Sequence, residues 1–141
     1  MTAPLWTSVV KIRFAHCDPA GIVYFAAHFD ILNGVVEDWF GEGLGLDYHD
    51  IVGRRRIGLG YVHASADFHL PARMGERLTY AVAVERVGNT SLPLRIAARR
   101  DGTKVLTAAL TIVTTDLDAM TSIPIPDGIR AAVSAYRENT A

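Results

Sequence analysis

Phe14-Ala15-His16-Cys17-Asp18-Pro19-Ala20-Gly21-Ile22-Val23-Tyr24-Phe25 is the stretch in which the hydrophobic period of this chain changes. Upstream, Val10, Ile12 and Phe14 alternate with Lys11 and Arg13, the period-two pattern of a half-buried strand over residues 9–14. Downstream, Phe25, Phe29, Leu32, Val36 and Trp39/Phe40 fall on one face of a helix running from about Val23 to Phe40. Ala26, Ala27, Ile31 and Val35 widen that face, so the helix is expected to be covered on several sides. Between the two elements Asp18 precedes Pro19, which biases it towards extended backbone, and Gly21 supplies a residue free to turn. One carboxylate thus stands just ahead of a helix start, whose unpaired N–H groups can host developing negative charge and favour an ionised carboxyl. Asp, Pro and Gly are also the ordinary residues of a turn, so the meaning of the segment depends on what surrounds it.

Beyond the helix, Gly41, Gly43 and Gly45 supply a stop, residues 46–52 suit a short second helical turn, and Arg54-Arg55-Arg56 form a basic run. Strand patterns then follow one another. Residues 57–70 alternate up to Pro71, and residues 76–87 carry Leu78, Tyr80, Val82 and Val84 on one face. Residues 91–100 carry Leu92, Leu94, Ile96 and Ala98, with Pro93 marking an edge or a bulge. Asp101-Gly102 is a two-residue hairpin signal leading into residues 104–116, which read as a central strand. Pro124 and Pro126 interrupt, and residues 127–138 look helical. Tight turns between strands imply an antiparallel sheet, and only one long apolar helix is available to cover it. The predicted architecture is α+β, a sheet of about five strands curled around that helix, which is the hotdog arrangement, with residues 1–141 as one domain.

Composition bounds the function. A chain of 141 residues with 50% hydrophobic content can bury a core without staples. Its net charge of −1 argues against nonspecific nucleic-acid binding. No segment approaches the ~20 apolar residues that span a bilayer, and no basic, apolar leader opens the chain. The single cysteine, Cys17, allows no intrachain disulfide and fits a cytoplasmic protein.

The segment from Ala15 to Phe25, with its Asp-Pro-Ala-Gly-Ile-Val core followed by an aromatic pair, resembles the signature of the 4-hydroxybenzoyl-CoA thioesterase family of hotdog proteins. The resemblance continues to Phe40 and resumes from Val62 to Leu78, where Phe68, Pro71, Ala72 and Leu78 stand in family-like places. It implies hydrolysis of acyl-CoA thioesters without a metal or organic cofactor. It also implies a homo-oligomer, dimer or tetramer, built by joining sheets edge to edge, with sites at subunit interfaces. Asp18 matches the family's catalytic carboxylate, a nucleophile or a general base on water. The backbone N–H of Phe25 matches the donor that polarises the thioester carbonyl. Many relatives carry tyrosine at that position, and the loss of the hydroxyl leaves the N–H untouched.

Other residues carry two readings each. Tyr24 and Phe25 can wall an acyl group or pack in the core. His28 is expected about one helical turn in, where it can face substrate. Asn33 interrupts the apolar face where some relatives carry an acidic residue that meets a ring hydroxyl, and it can hydrogen-bond a polar acyl group or be a satisfied buried amide. His63, Ser65, Asp67 and His69 share one strand face by alternation. His63 and Ser65 are the stronger substrate contacts of that stripe, solvent exposure is the plain alternative, and no recognised zinc spacing appears. Arg54, Arg55, Arg56 and Arg86 can bind the phosphates of coenzyme A, or be solvated surface charge. The family's basic phosphate-binding turn corresponds here to uncharged Gly88-Asn89-Thr90. An aromatic acyl-CoA is the leading substrate class. Short aliphatic or carrier-protein-bound acyl chains and noncatalytic acyl-CoA binding are the alternatives.

Overall fold

The structure is a computed structural model that describes residues 2–141; Met1 lies outside them. Strand β1 spans Thr7–Lys11, helix α1 Phe25–Asp38, β2 Ile57–Phe68, β3 Arg77–Val84, β4 Ser91–Arg100, β5 Thr103–Asp116, β6 Thr121–Ser122 and helix α2 Asp127–Thr140. The strands form one antiparallel sheet in the order β1-β3-β4-β5-β2, with the two-residue β6 on the far end of β5. This is the curled sheet and central helix expected from the sequence.

The core lies between α1 and one face of the sheet. Ile31, Leu32, Val35 and Val36 of α1, with Trp39 and Phe40 just past its end, are buried against Leu78, Tyr80 and Val82 of β3, Leu94, Ile96 and Ala98 of β4, and Leu106, Ala108, Leu110 and Ile112 of β5. Each such side chain contributes roughly 1.5–3 kcal/mol by leaving water, which is why the period-two and helical patterns were so regular. α1 does not stop at its glycines. It continues into a π-helical turn over Trp39–Gly43, where a Cβ on Gly43 would fall 2.5 Å from Cδ1 of Trp39. A second such turn covers Asp50–Arg54, close to the expected one.

α2 seals the open end of the sheet. The Tyr136 hydroxyl accepts the Trp6 N–H at 3.0 Å and donates to the Val82 carbonyl. At the β4–β5 hairpin, Asp101 and Gly102 both take positive φ (50° and 83°), as a type I′ turn requires. Pro93 sits inside a central strand, one residue past the last β3–β4 register pair, Val84↔Leu94. The Pro93 carbonyl still accepts the Glu85 N–H at 2.9 Å; its missing N–H removes the reciprocal bond, and the Glu85 carbonyl accepts instead from Nε of Arg137 at 3.1 Å.

Two expectations need correction. Phe14 does not continue the first strand's buried face. The strand ends at Lys11, Phe14–His16 form a 3₁₀ turn, and Phe14 is 81% exposed. Phe25, the first residue of the helical face, is not covered either; it and Tyr24 remain exposed beside each other, ring centroids 5.0 Å apart. Among the described residues no helix is long and apolar enough to cross a membrane.

Candidate active site

Residues 16–24 fold as a tight loop that delivers the chain to α1. Cys17 bridges Val23 across it, the Asp18 N–H donates to the Ile22 carbonyl at 2.9 Å, and the Gly21 N–H donates to the Asp18 carbonyl at 2.9 Å. Gly21 takes φ 79°, a conformation that explains glycine there. The Ala20 N–H donates to Oδ1 of Asp18 at 2.9 Å, so the side chain is held within its own turn and does not cap the helix. Its other carboxylate oxygen has no protein donor among the described residues, and the residue is half-buried.

Tyr24 is the residue before α1 and makes no side-chain cap. The Ala27 N–H is used by the Tyr24 carbonyl at 2.8 Å, while the N–H of Phe25 finds no acceptor among the described residues. This is the free donor of a helix start. Beside it lies a cavity of about 270 Å³, lined by Ile22, Val23, Phe25, His28, Phe68 and the segment His69–Ala72.

His28 is only 5% exposed and its ring packs on Phe68 at a centroid distance of 5.3 Å. Its Nδ1 has no hydrogen-bond partner among the described residues. Burial, and secondarily the neighbouring His16, hold its pKa below the usual histidine value, so the ring is neutral at pH 7. Further along α1, Asn33 accepts a hydrogen bond at Oδ1 from the Tyr61 hydroxyl at 2.9 Å. That bond fixes the amide and leaves its NH₂ free to donate. Burial, with a secondary contribution from Tyr48, raises the Tyr61 pKa, so it remains a donor. Tyr61 and Phe68 were not among the residues singled out as contacts; alternation along β2 signals Phe68 once the inward face is known, whereas Tyr61 joins that face only through the irregularity between Tyr61 and His63.

That face is fixed by register. Phe68, Ala66 and Ala64 pair with Leu106, Ala108 and Leu110, whose side chains point to the core, whereas Asp67, Ser65 and His63 pair with Thr107, Ala109 and Thr111 on the outer face. His63 and Ser65 therefore lie on the side of the sheet away from α1, hydrogen-bonded to each other at 3.2 Å. The structure does not bring them to Asp18. Nor, within one chain, does it bring the four arginines there. Arg54 is paired with Asp50 and Arg56 with Asp118 at 3.1 Å, and both stand at the start of β2. Eleven strand residues separate that start from Phe68, about 36 Å of extended chain. Arg55 and Arg86 are exposed and make no ion pair among the described residues.

The protein-family model for the Thioesterase-like superfamily matches residues 12–133. The 1,4-dihydroxy-2-naphthoyl-CoA hydrolase of Prochlorococcus marinus (strain MIT 9515) is 24% identical over 138 residues, covering 92% of this chain and 89% of its own. A Staphylococcus aureus protein solved in complex with CoA superposes with a TM-score of 0.90 at 17% identity, covering 100% of this chain and 89% of that one. A gentisyl-coenzyme A thioesterase superposes with a TM-score of 0.83 at 19% identity, covering 91% and 99%. The two structures establish the common fold. With the match over residues 12–133 extending across the loop, α1 and strands β2 to β6, the chain belongs to the thioesterase-like superfamily of hotdog proteins.

Proposed function

We propose that this protein hydrolyses acyl-CoA thioesters carrying an aromatic acyl group, with Asp18 as nucleophile or general base. The observation that carries the reading is the unoccupied N–H of Phe25 at the start of α1, opening on an aromatic-walled cavity directly after the loop that holds Asp18. Thioester hydrolysis develops negative charge on the carbonyl oxygen, and one preorganised donor at that oxygen lowers the barrier by about 3–4 kcal/mol. A backbone N–H at a helix start supplies that donor without a dedicated side chain. The carboxylate then attacks the carbonyl carbon, or removes a proton from the attacking water. Thiolate leaves readily, so no strong general acid is needed.

Phe25, Phe68 and the neutral ring of His28 give the cavity flat apolar walls, which suits an aromatic ring better than a flexible chain. The free amide NH₂ of Asn33, held by Tyr61, offers a donor to a polar substituent on that ring. The relatives named for naphthoyl-CoA and gentisyl-CoA point the same way.

The working unit is a homodimer joined along β2. This strand is the edge of the sheet, twelve residues long, and from Gly60 onward almost every residue is exposed, Val62 by 69%. A long open edge with unpaired backbone groups is a template for another strand. Antiparallel pairing of β2 with its copy would cover Val62, close the cavity around Tyr24 and Phe25, and carry the partner's basic run towards this chain's Phe68. The lone cysteine supports a cytoplasmic location.

A panel of hydroxybenzoyl-, dihydroxynaphthoyl- and short aliphatic acyl-CoAs, assayed by released thiol, tests the reading. Fastest turnover is expected with the aromatic thioesters. Saturable binding with no thiol release from any of them would make the protein an acyl-CoA binder and sink the proposal.

A further inference from the structure

On the outer face of the sheet, opposite α1, lies a hollow of about 430 Å³. Ala81, Ala83, Ala97 and Ala109 form a flat apolar floor, and the charged groups on it are Asp67, Arg95, Arg99 and Lys104. Arg95 has a partner, Glu85, at 3.4 Å. Arg99 and Lys104 have none among the described residues, yet they are direct register partners across the β4–β5 ladder. Like charges placed opposite each other in a sheet repel and destabilise it. A second such pair, Lys11↔Arg77, adjoins them on the same face at the same end of the sheet. Two unneutralised cation pairs at the rim of an apolar hollow form an electrostatic arrangement that an anion would complete.

The hollow and the cavity beside α1 lie back to back. Asp67 lines the first and Phe68 lines the second, with the strand between them. The His69 and Leu70 N–H groups both donate to the Val105 carbonyl, at 2.8 and 3.2 Å, so Lys104 stands next to the strand end that closes the cavity.

We propose that this outer hollow binds a phosphorylated purine nucleotide, the base lying on the alanine floor and the phosphates on Arg99 and Lys104. The site deepens the acyl-CoA reading and rests on it for its natural source: the nucleotide half of the substrate. The pantetheine arm would pass round the end of β2 at His69–Leu70, from one face of the sheet to the other, while the thioester sits at Phe25. Alanines suit a planar base because they leave a flat surface, and Asp67 at the rim can accept from an exocyclic amino group. Arg99 and Lys104 supply the positive charge that Gly88-Asn89-Thr90 lacks.

The probe is adenosine 3′,5′-bisphosphate, with binding measured by calorimetry on the full-length wild type and on Arg99→Gln, Lys104→Gln and the double variant. In parallel, KM and kcat are measured for an acyl-CoA and for the same acyl group on pantetheine, which lacks the nucleotide. Each single change is expected to weaken bisphosphate binding and raise KM for acyl-CoA about tenfold, the weight of one charge-assisted contact. The kcat, and all parameters for acyl-pantetheine, stay unchanged. Arg137→Gln, an exposed change on α2 outside the hollow, serves as the comparison and leaves bisphosphate binding intact. Melting temperatures of the variants should hold or rise, because a repulsion is removed.

Wild-type protein that does not bind the bisphosphate, or binds it equally well in the double variant, overturns the site, whatever the activity. Binding through Arg99 and Lys104 in a protein that hydrolyses no acyl-CoA keeps the site and overturns the function. Binding with unchanged KM and noncompetitive inhibition keeps the nucleotide chemistry but assigns it to a free nucleotide and not to the substrate.

Discussion

β5 and β2 lie side by side from Ile57↔Asp116 to Phe68↔Leu106, yet they live in different surroundings. Along β5 every second side chain from Leu106 to Thr114 is buried. Along β2 full burial stops at Leu59, and of the remaining residues only Tyr61 and Ala66 are half-buried while the others are exposed. The first strand has β4 and β2 as neighbours; the second has a neighbour on one edge only. The comparison separates two tasks within one sheet. β3, β4 and β5 with α1 hold the molecule together, whereas β2 beyond Leu59, with the Asp18 loop, is the surface to which the proposed function assigns substrate and a second chain.

The division can be broken from either side. The largest effect is expected at Asp18: Asp18→Asn should lower kcat by roughly 10³-fold or more while leaving the melting temperature and acyl-CoA affinity near wild type. Burst and steady-state thiol release would measure it, and a rate within tenfold of wild type would remove Asp18 from the chemistry. The reverse result is expected at Leu94, fully buried in β4. Leu94→Ala should cost about 2–5 kcal/mol in urea unfolding with kcat little changed in the folded fraction. At the open edge, Val62→Glu places two like charges face to face in the proposed dimer. Light scattering should then show monomer at concentrations where wild type is dimeric, and activity should fall with it.

Smaller effects sharpen the boundary. His28 is a buried histidine whose ring the fold keeps neutral. Its pKa is lowered in the fold, so as pH falls below 6.5 the unfolded chain takes up its proton first. The stability His28 allows is complete above that value and declines below it until the folded ring is protonated too. His28→Phe should flatten this part of the stability–pH curve, read as melting temperature between neutral and mildly acidic pH. The smallest effect is inside the core. The Tyr80 hydroxyl is buried without a partner among the described residues, and Tyr80→Phe should gain about 1 kcal/mol by removing that desolvated group.

Much of this was legible in advance where one physical term dominates. The α1 face, β4 and the Asp101-Gly102 hairpin follow from burial period and turn chemistry, which are local. The Asp18 loop was legible because Asp-Pro-Ala-Gly constrains backbone and side chain together. Alternation in β2 said that His63 and Ser65 share a face, but not which face is inward. That depends on register with β5 and on the irregularity between Tyr61 and His63, both set by residues some fifty positions away. The Asn33–Tyr61 contact was hidden for the same reason. Phe14 misled because its alternation with Ile12 persists in the sequence after the strand itself has ended.

The latch made by Tyr136 has a practical corollary. Both tryptophans meet that residue: Trp6 through its backbone, and Trp39 edge-on at a ring separation of 5.3 Å. Neither indole lines the cavity at the other end of α1. Intrinsic fluorescence will therefore report the docking of the C-terminal helix and the integrity of the interior, and will be nearly silent to ligands, so occupancy needs a label placed near Asp18.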